Sequence, residues 1–477
     1  MRNLSFIALI LWLALSIASA QTVQRLTHQP PDGAGIGFLL TDGTLMFQGN
    51  AESDWWKLTP DITGSYLNGT WSKLASLPAG YVPDAFASAV LADGRVIIEG
   101  GEYNNNNFVL TNQGAIYDPA ANTWTTVAPP TGWDYIGDSP SLVLPDGKYV
   151  VGNKLNKQMA ALNPKTLKWT ALSSAGKADF NAEEGWTLLP DGSILTADVK
   201  DAPNSEIYTL SQRKWVSAGS TIVDLHSPSP YGCIPFGPGG RLCYFPPGEI
   251  GPAILRPDGT VFATGSTPKG GTSGNTSVYD PSTGAWTPGP SFPTGEDAGD
   301  SFAVLLTSGD VLVEADSGNS YVFDGTNLTE GPQTPGSLIV LPTGEVLVGG
   351  GFSTEIYTST GTYQASWAPT ISTYPTTVVR GSSYTISGTQ FNGLSQAAAF
   401  GDELQTATNY PLVRITNNST GHVFYAKTHD HSTMGVATGT APVSTNFDVP
   451  ASMETGASSL EVVANGIPST PVSITVN

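Results

Sequence analysis

The chain has 477 residues, of which 13% are charged, with 54 glycines, 36 prolines and a formal net charge of −20. That length exceeds what one domain normally holds, and so many glycines and prolines suit an all-β protein with many turns. The acidic balance excludes nucleic acid and an anionic membrane surface as partners, since both would be repelled.

From the N-terminus, "MRNLSFIALILWLALSIASA" sets Arg2 before an apolar run and ends in Ala18-Ser19-Ala20, a secretory signal peptide over residues 1–20. A mature chain is expected from Gln21, secreted or periplasmic. No later apolar run is long enough for a bilayer, so no membrane insertion is expected.

An apolar strand, an Asp-Gly turn and a second apolar strand then recur seven times, from "GFLLTDGTLMFQG" through "ASAVLADGRVIIEGG" to the variant "SLIVLPTGEVLVGG". Asp-Gly between β-rich runs marks a hairpin. A third strand around an aromatic follows each copy, and usually a fourth carrying tryptophan: Trp71, Trp124, Trp169, Trp215, Trp286 and Trp367. Four strands per unit at about fifty residues predict a seven-bladed kelch-type β-propeller over residues 21–369.

One interval is longer, and its excess holds "YGCIPFGPGGRLCYF". In an oxidising compartment, Cys233 and Cys243 are expected to form a local disulfide. Beyond residue 370 the repeat stops, and about a hundred residues of short alternating strands predict an immunoglobulin-like (early-set) β-sandwich over 370–477. Within it, "THDHSTMG" sets His429 and His431 one residue apart, on one face of an extended strand, where both could hold a metal.

This organisation resembles the galactose oxidase and glyoxal oxidase family over essentially the whole chain after residue 20. The resemblance implies that a loop of the C-terminal domain enters the propeller channel and delivers a histidine from a Thr-His motif, here His429 in "AKTHDHSTMG". It also implies a copper held by two tyrosines and two histidines, with one tyrosine cross-linked to a cysteine. The matching places carry Ala85 and Phe86 for the first tyrosine, Pro335 and Gly336 for a Tyr-His pair, and no cysteine in "DGAGIGFLLTDG". Tyr244 beside Cys243 cannot supply a cross-blade thioether. The resemblance thus implies the fold without the copper-radical cofactor, and function must come from the site.

Residues just before each inner strand converge on one face of such a channel. They include Asp32, Asp84, Asp138, Glu183 with Glu184, Glu249, and Asp297 with Asp300. Aspartates cap turns, but glutamates do so less readily, which singles out Glu183, Glu184 and Glu249. Crowded carboxylates imply raised pKa values or a bound cation. Two chemistries follow. Histidine with carboxylates would hold one divalent metal ion, whereas a metal-free site would use Glu183, Glu184, Glu249 and His429 as acids and bases on a glycan. Asp84, Tyr103, Trp133, Tyr135, Asp138, Trp186, Asp297 and Asp300 would bind the sugar, aromatics to its faces and acids to its hydroxyls. His226 in "VDLHSPSP" could reach the same face.

The expectation is a monomeric, secreted protein that binds or processes extracellular carbohydrate, or another small polar substrate, at an acid-lined channel closed by the His429 loop. The alternatives are a copper oxidase of sugars, alcohols or aldehydes with a rearranged site, and a non-catalytic adhesion or binding module.

Overall fold

The computed structural model of the protein describes residues 21–228, 234–235, 241–242, 248–351 and 353–477. The expected leader 1–20 and the expected Cys233–Cys243 disulfide fall outside the described residues. Among those residues, no helix is long and apolar enough to cross a membrane.

Among the described residues, seven antiparallel four-strand arrays follow one another. The first runs through Gly37–Leu39, Leu45–Gln48, Trp55–Thr59 and Thr70–Lys73, and the next five repeat that order. The turn of each first hairpin explains the repeated Asp-Gly. Gly43 adopts φ 75, Gly94 φ 82 and Gly147 φ 80, the left-handed conformation that glycine reaches without a Cβ penalty. The aspartate before it accepts the N–H two residues on, Asp42 from Thr44 at 3.0 Å and Asp191 from Ser193 at 2.9 Å. Leu40 and Thr44 bracket a three-residue loop, a type I turn closed by a left-handed glycine instead of a two-residue turn.

The tryptophans tie each unit to the one before. Trp71 Nε1 donates to the His28 carbonyl at 2.9 Å, Trp124 to Ala75 at 2.9 Å, Trp169 to Ala128 at 2.6 Å, and Trp286 to Ser205 Oγ at 2.8 Å. These half-buried indoles, and the buried Trp286, each find a hydrogen-bond partner in a stretch of chain that precedes their own unit.

Trp367 departs from the expectation. It belongs to a 3-10 turn, Ala365–Trp367, and the outermost strand of the seventh sheet is Thr22–Arg25 from the other end of the chain. That strand pairs with Glu355–Thr358, so the last sheet is completed by the first described residues and the ring closes. Closure removes the unpaired edge that an open array would expose.

From Thr370 onward, nine strands form one continuous sheet around an apolar cluster that includes Val378, Ile386, Phe447, Leu460 and Ile474. Val378 and Ile386 come from strands far apart in the sheet order, so the sheet curls to bring them together.

Between Ser383–Thr389 and Leu412–Asn417 the chain leaves that sheet and threads the ring. Ala398–Ala399 pairs with the inner strand Ala303–Leu305 of the sixth sheet. The Leu188 N–H donates to Gln396 Oε1 at 2.8 Å, Ser88 Oγ to the Gln405 carbonyl at 3.2 Å, and Tyr410 Oη to the Leu39 carbonyl. Gly185 lies so near Gly401 that a Cβ there would sit 2.1 Å from the Gly401 oxygen. One hairpin thus touches the first, second, fourth and sixth inner strands and carries Gly401, Asp402 and Glu403.

Candidate functional site

The inner strands start at one face of the ring and end at their Asp-Gly turns on the other. The carboxylates expected to converge lie at the first face, and the tip of the C-terminal hairpin reaches them.

At the centre stands Lys154, which is 2% exposed. Its Nζ lies 2.6 Å from Glu183 Oε1 and is also bonded to Asp138. Burial alone would lower the lysine pKa, but Glu183, Glu102 and Glu249 outweigh it and keep the ammonium charged. Glu249 is pushed up to about 9, first by burial and then by Glu183 and Asp300, and it shares a hydrogen bond with Glu183. Glu403 is pushed up to about 8 by burial, with Glu183 and Glu249 adding to it. Both therefore hold protons near neutral pH.

The backbone here is unusual. Ala85, Glu183 and Asp300 have φ of 49, 56 and 48, left-handed values at corresponding places before the second, fourth and sixth inner strands. Such a conformation costs a non-glycine residue about 1–3 kcal/mol, and such outliers cluster at functional sites. Two of the three are carboxylates of this face.

Asp138, Glu183 and Asp402 each place one oxygen within 4.8 Å of the others. An oxygen-only set of this kind suits a hard divalent cation such as Ca²⁺ or Mg²⁺. The Lys154 ammonium already pairs with two of the three acids.

A hairpin from the C-terminal β segment pierces a ring of kelch-like meanders. This is a galactose-oxidase-like kelch fold. A solved fungal alcohol oxidase of the AA5 family, in complex with copper, matches it with a TM-score of 0.50 at 14% identity, over 97% of this chain and 100% of that one. Kelch-like protein terF of Aspergillus terreus is 27% identical over 137 residues, 28% of this chain and 28% of that protein, so the match spans under a third of that relative. A virginiamycin B lyase from Staphylococcus aureus overlaps 71% of this chain and 99% of that one, with a TM-score of 0.47 and 12% identity. No protein-family model matches the chain. At 14% identity the likeness to the alcohol oxidase is one of fold.

Within the galactose-oxidase-like fold, the hairpin that threads the channel is 390–411, which corrects the expectation that the His429 loop would close it. Strand Val423–His429 stays in the C-terminal sheet, and the loop after it rests on the Asp-Gly turns. The Thr428 N–H donates to the Thr41 carbonyl at 3.0 Å, His431 to Ala92 at 3.1 Å and Met434 to Pro145 at 3.1 Å. His429 and His431 thus lie at the far end of the inner strands from the acids. They also diverge: His429 bonds Asp430 at 2.9 Å and Asp448 at 3.3 Å, whereas His431 is buried against Thr445 Oγ1 at 2.8 Å. The hairpin brings Asp402 and Glu403, not an imidazole, to the acid face.

Glu184 turns away from its neighbour Glu183. Both of its oxygens accept from Lys177 at 2.8 Å in a closed cluster with Glu206 and Asp198. Lys177 also lies 4.8 Å over the Trp215 ring, so this second cluster is an internal ion network within the fourth unit.

Asp297 is consumed in its turn, accepting from Thr267 N–H at 2.9 Å, Thr267 Oγ1 at 2.6 Å and Gly299 N–H at 3.1 Å. Asp32 likewise accepts from the Ala51 N–H at 3.2 Å. Trp133 and Trp186 are buried in the apolar core, so neither offers a platform to a sugar. Tyr135 is half-buried. Tyr103 is 37% exposed and pairs across its strand with the exposed Asp84, with the Phe108 ring edge-on at 5.9 Å. Asp300 is exposed at the same mouth, yet burial of its carboxyl, with Glu403 and Glu183 adding to it, holds its pKa well above the usual carboxylate range. His226 adjoins Ser227, whose N–H donates to the Glu249 carbonyl at 2.9 Å.

Sequence reasoning missed Lys154, Lys177, Asp402 and Glu403. A lysine in the strand-exit segment "VGNKLNKQ", in so weakly charged a chain, was the available signal for Lys154. For the hairpin it was "FGDELQ", two acids behind a glycine amid small residues.

Proposed function

We propose that the chain is a secreted seven-bladed kelch propeller with an immunoglobulin-like C-terminal domain, which binds or processes extracellular carbohydrate at the acid-lined mouth of its channel. The reading rests on one observation: Asp402 and Glu403, carried in from the C-terminal domain, meet Asp138, Glu183 and Glu249 around Lys154. A carboxyl that keeps its proton at neutral pH can donate it to a leaving oxygen, and Glu249 is the partly exposed one. Glu183, bonded to both Glu249 and Lys154, would position that proton. The exposed Tyr103 and Asp84 would hold the sugar.

Copper does not fit the residues at hand. The places that would offer tyrosine and histidine hold Ala85, Phe86, Pro335 and Gly336, and Phe86 is fully buried. A non-catalytic binding module is the second reading, favoured by the way Lys154 already neutralises two central carboxylates.

The test compares wild type with Glu249→Gln on a panel of extracellular polysaccharides, measuring affinity and release of sugar ends together. Loss of release by about 100-fold or more with affinity kept supports acid catalysis. Affinity without release in either protein supports the binding module. No affinity for any glycan would overturn the carbohydrate reading.

A further inference from the structure

The mouth holds more carboxyl groups than cations, although Glu249 and Glu403 keep their protons near neutral pH and Lys154 pairs with Asp138 and Glu183. Carboxylates crowd around one lysine, and two of their oxygens, Asp138 Oδ1 and Asp402 Oδ2, are buried with no hydrogen-bond partner. Their residues are only 4% and 2% exposed, and both offer oxygens to the same cluster as Glu183. A buried carboxylate oxygen without a donor is costly, so the site gains most from a ligand that brings both positive charge and N–H donors. Above this buried layer lie Asp84 and Asp300, exposed, and Glu249, partly exposed. Beside them stands Tyr103, held by its pairing with Asp84; burial raises its hydroxyl pKa first, Glu102 and Asp84 add to it, Lys154 opposes, and Glu249 contributes least.

We propose that the carbohydrate taken at this mouth is an amino sugar with a free, protonated amine, its ammonium among the mouth carboxylates and its ring face on Tyr103. The inference rests on the carbohydrate reading above and narrows it. A uronic acid or sulfated sugar would be repelled here, and a neutral sugar would satisfy hydrogen bonds without relieving the charge. An ammonium does both, and beside an aromatic face it gains cation–π attraction as well.

The experiment is calorimetric titration of the full chain with a glucosamine tetramer and with the N-acetylated tetramer of the same length. The free-amine tetramer is expected to bind at least about ten-fold more tightly, a preference that shrinks as salt is raised. Asp84→Asn and Tyr103→Ala, both exposed positions, should each weaken it by about three- to ten-fold with melting temperature unchanged. Equal or tighter binding of the N-acetylated tetramer would overturn the amine assignment while leaving the carbohydrate reading intact. Binding of neither tetramer, with no affinity for other glycans, would sink both. Spermine binding as tightly as the free-amine tetramer, and unaffected by Tyr103→Ala, would mean a bare ammonium site and would also overturn the assignment.

Discussion

His431 and the mouth carboxylates respond to pH in opposite directions, and each response follows from burial. The His431 imidazole is enclosed, stacked on Tyr410 with ring centroids 6.3 Å apart, and its pKa is lowered to about 3, mainly by burial and then by His429. Asp93 and Asp430 oppose this only weakly. The unfolded chain takes up that proton near pH 6.5 and the folded one does not, so the stability due to His431 is full above pH 6.5 and is lost as pH falls toward 3. Its replacement in His431→Gln should flatten the acid limb of stability against pH, an effect of up to about 4 kcal/mol readable by denaturant titration. Glu249 and Glu403 have raised values, so their unfavourable contribution grows as pH rises from about 4.5 toward 9 and 8. Glu403→Gln should accordingly gain stability at pH 8 and little at pH 4; an equal gain at both would refute the assignment.

At the scale of elements, the hairpins were legible because their signal is local. A strand, an Asp-Gly turn and a strand need only neighbouring residues, and Asp42, Asp93 and Asp146 each cap their own turn. The closing strand was not, because "TVQR" at residues 22–25 has no turn after it and finds its partner 330 residues away in sequence, where Arg25 pairs with Glu355. Trp367 was misplaced for the same reason: the pattern required a fourth strand, and the other end of the chain had filled that place. Removing residues 21–26 should open the ring at the seventh sheet. The four residue pairs of that ladder suggest a loss of about 3 kcal/mol or more, visible as a lower thermal midpoint and faster proteolysis. A truncated protein with unchanged midpoint would mean that the ring closes otherwise.

For the whole molecule the C-terminal domain is part of the core. Ala398, Ala399, Phe400, Tyr410 and Leu412 belong to the same apolar cluster as the inner strands of the ring. A chain ending at residue 369 would leave the channel lining and one side of the inner strand Ala303–Leu305 bare. It is expected to be aggregation-prone and to lose cooperative melting, whereas a well-folded, cooperatively melting ring would show that the hairpin is an accessory.

By itself the sequence determined the β class, the repeated four-strand unit, the change of character near residue 370 and the row of acids before the inner strands, since each is written in neighbouring residues and their period. Tertiary structure alone decided which acids meet. Glu183 and Glu184 are adjacent, yet the left-handed backbone at Glu183 sends one to Lys154 in the channel and the other to Lys177 in the fourth unit. It also decided which C-terminal segment enters the ring: the Thr-His motif was the conspicuous one, but the hairpin beside it has the small residues that pass the inner strands and carries Asp402 and Glu403 through. A site assembled from separate units and a threaded loop has no period, so only packing reveals it.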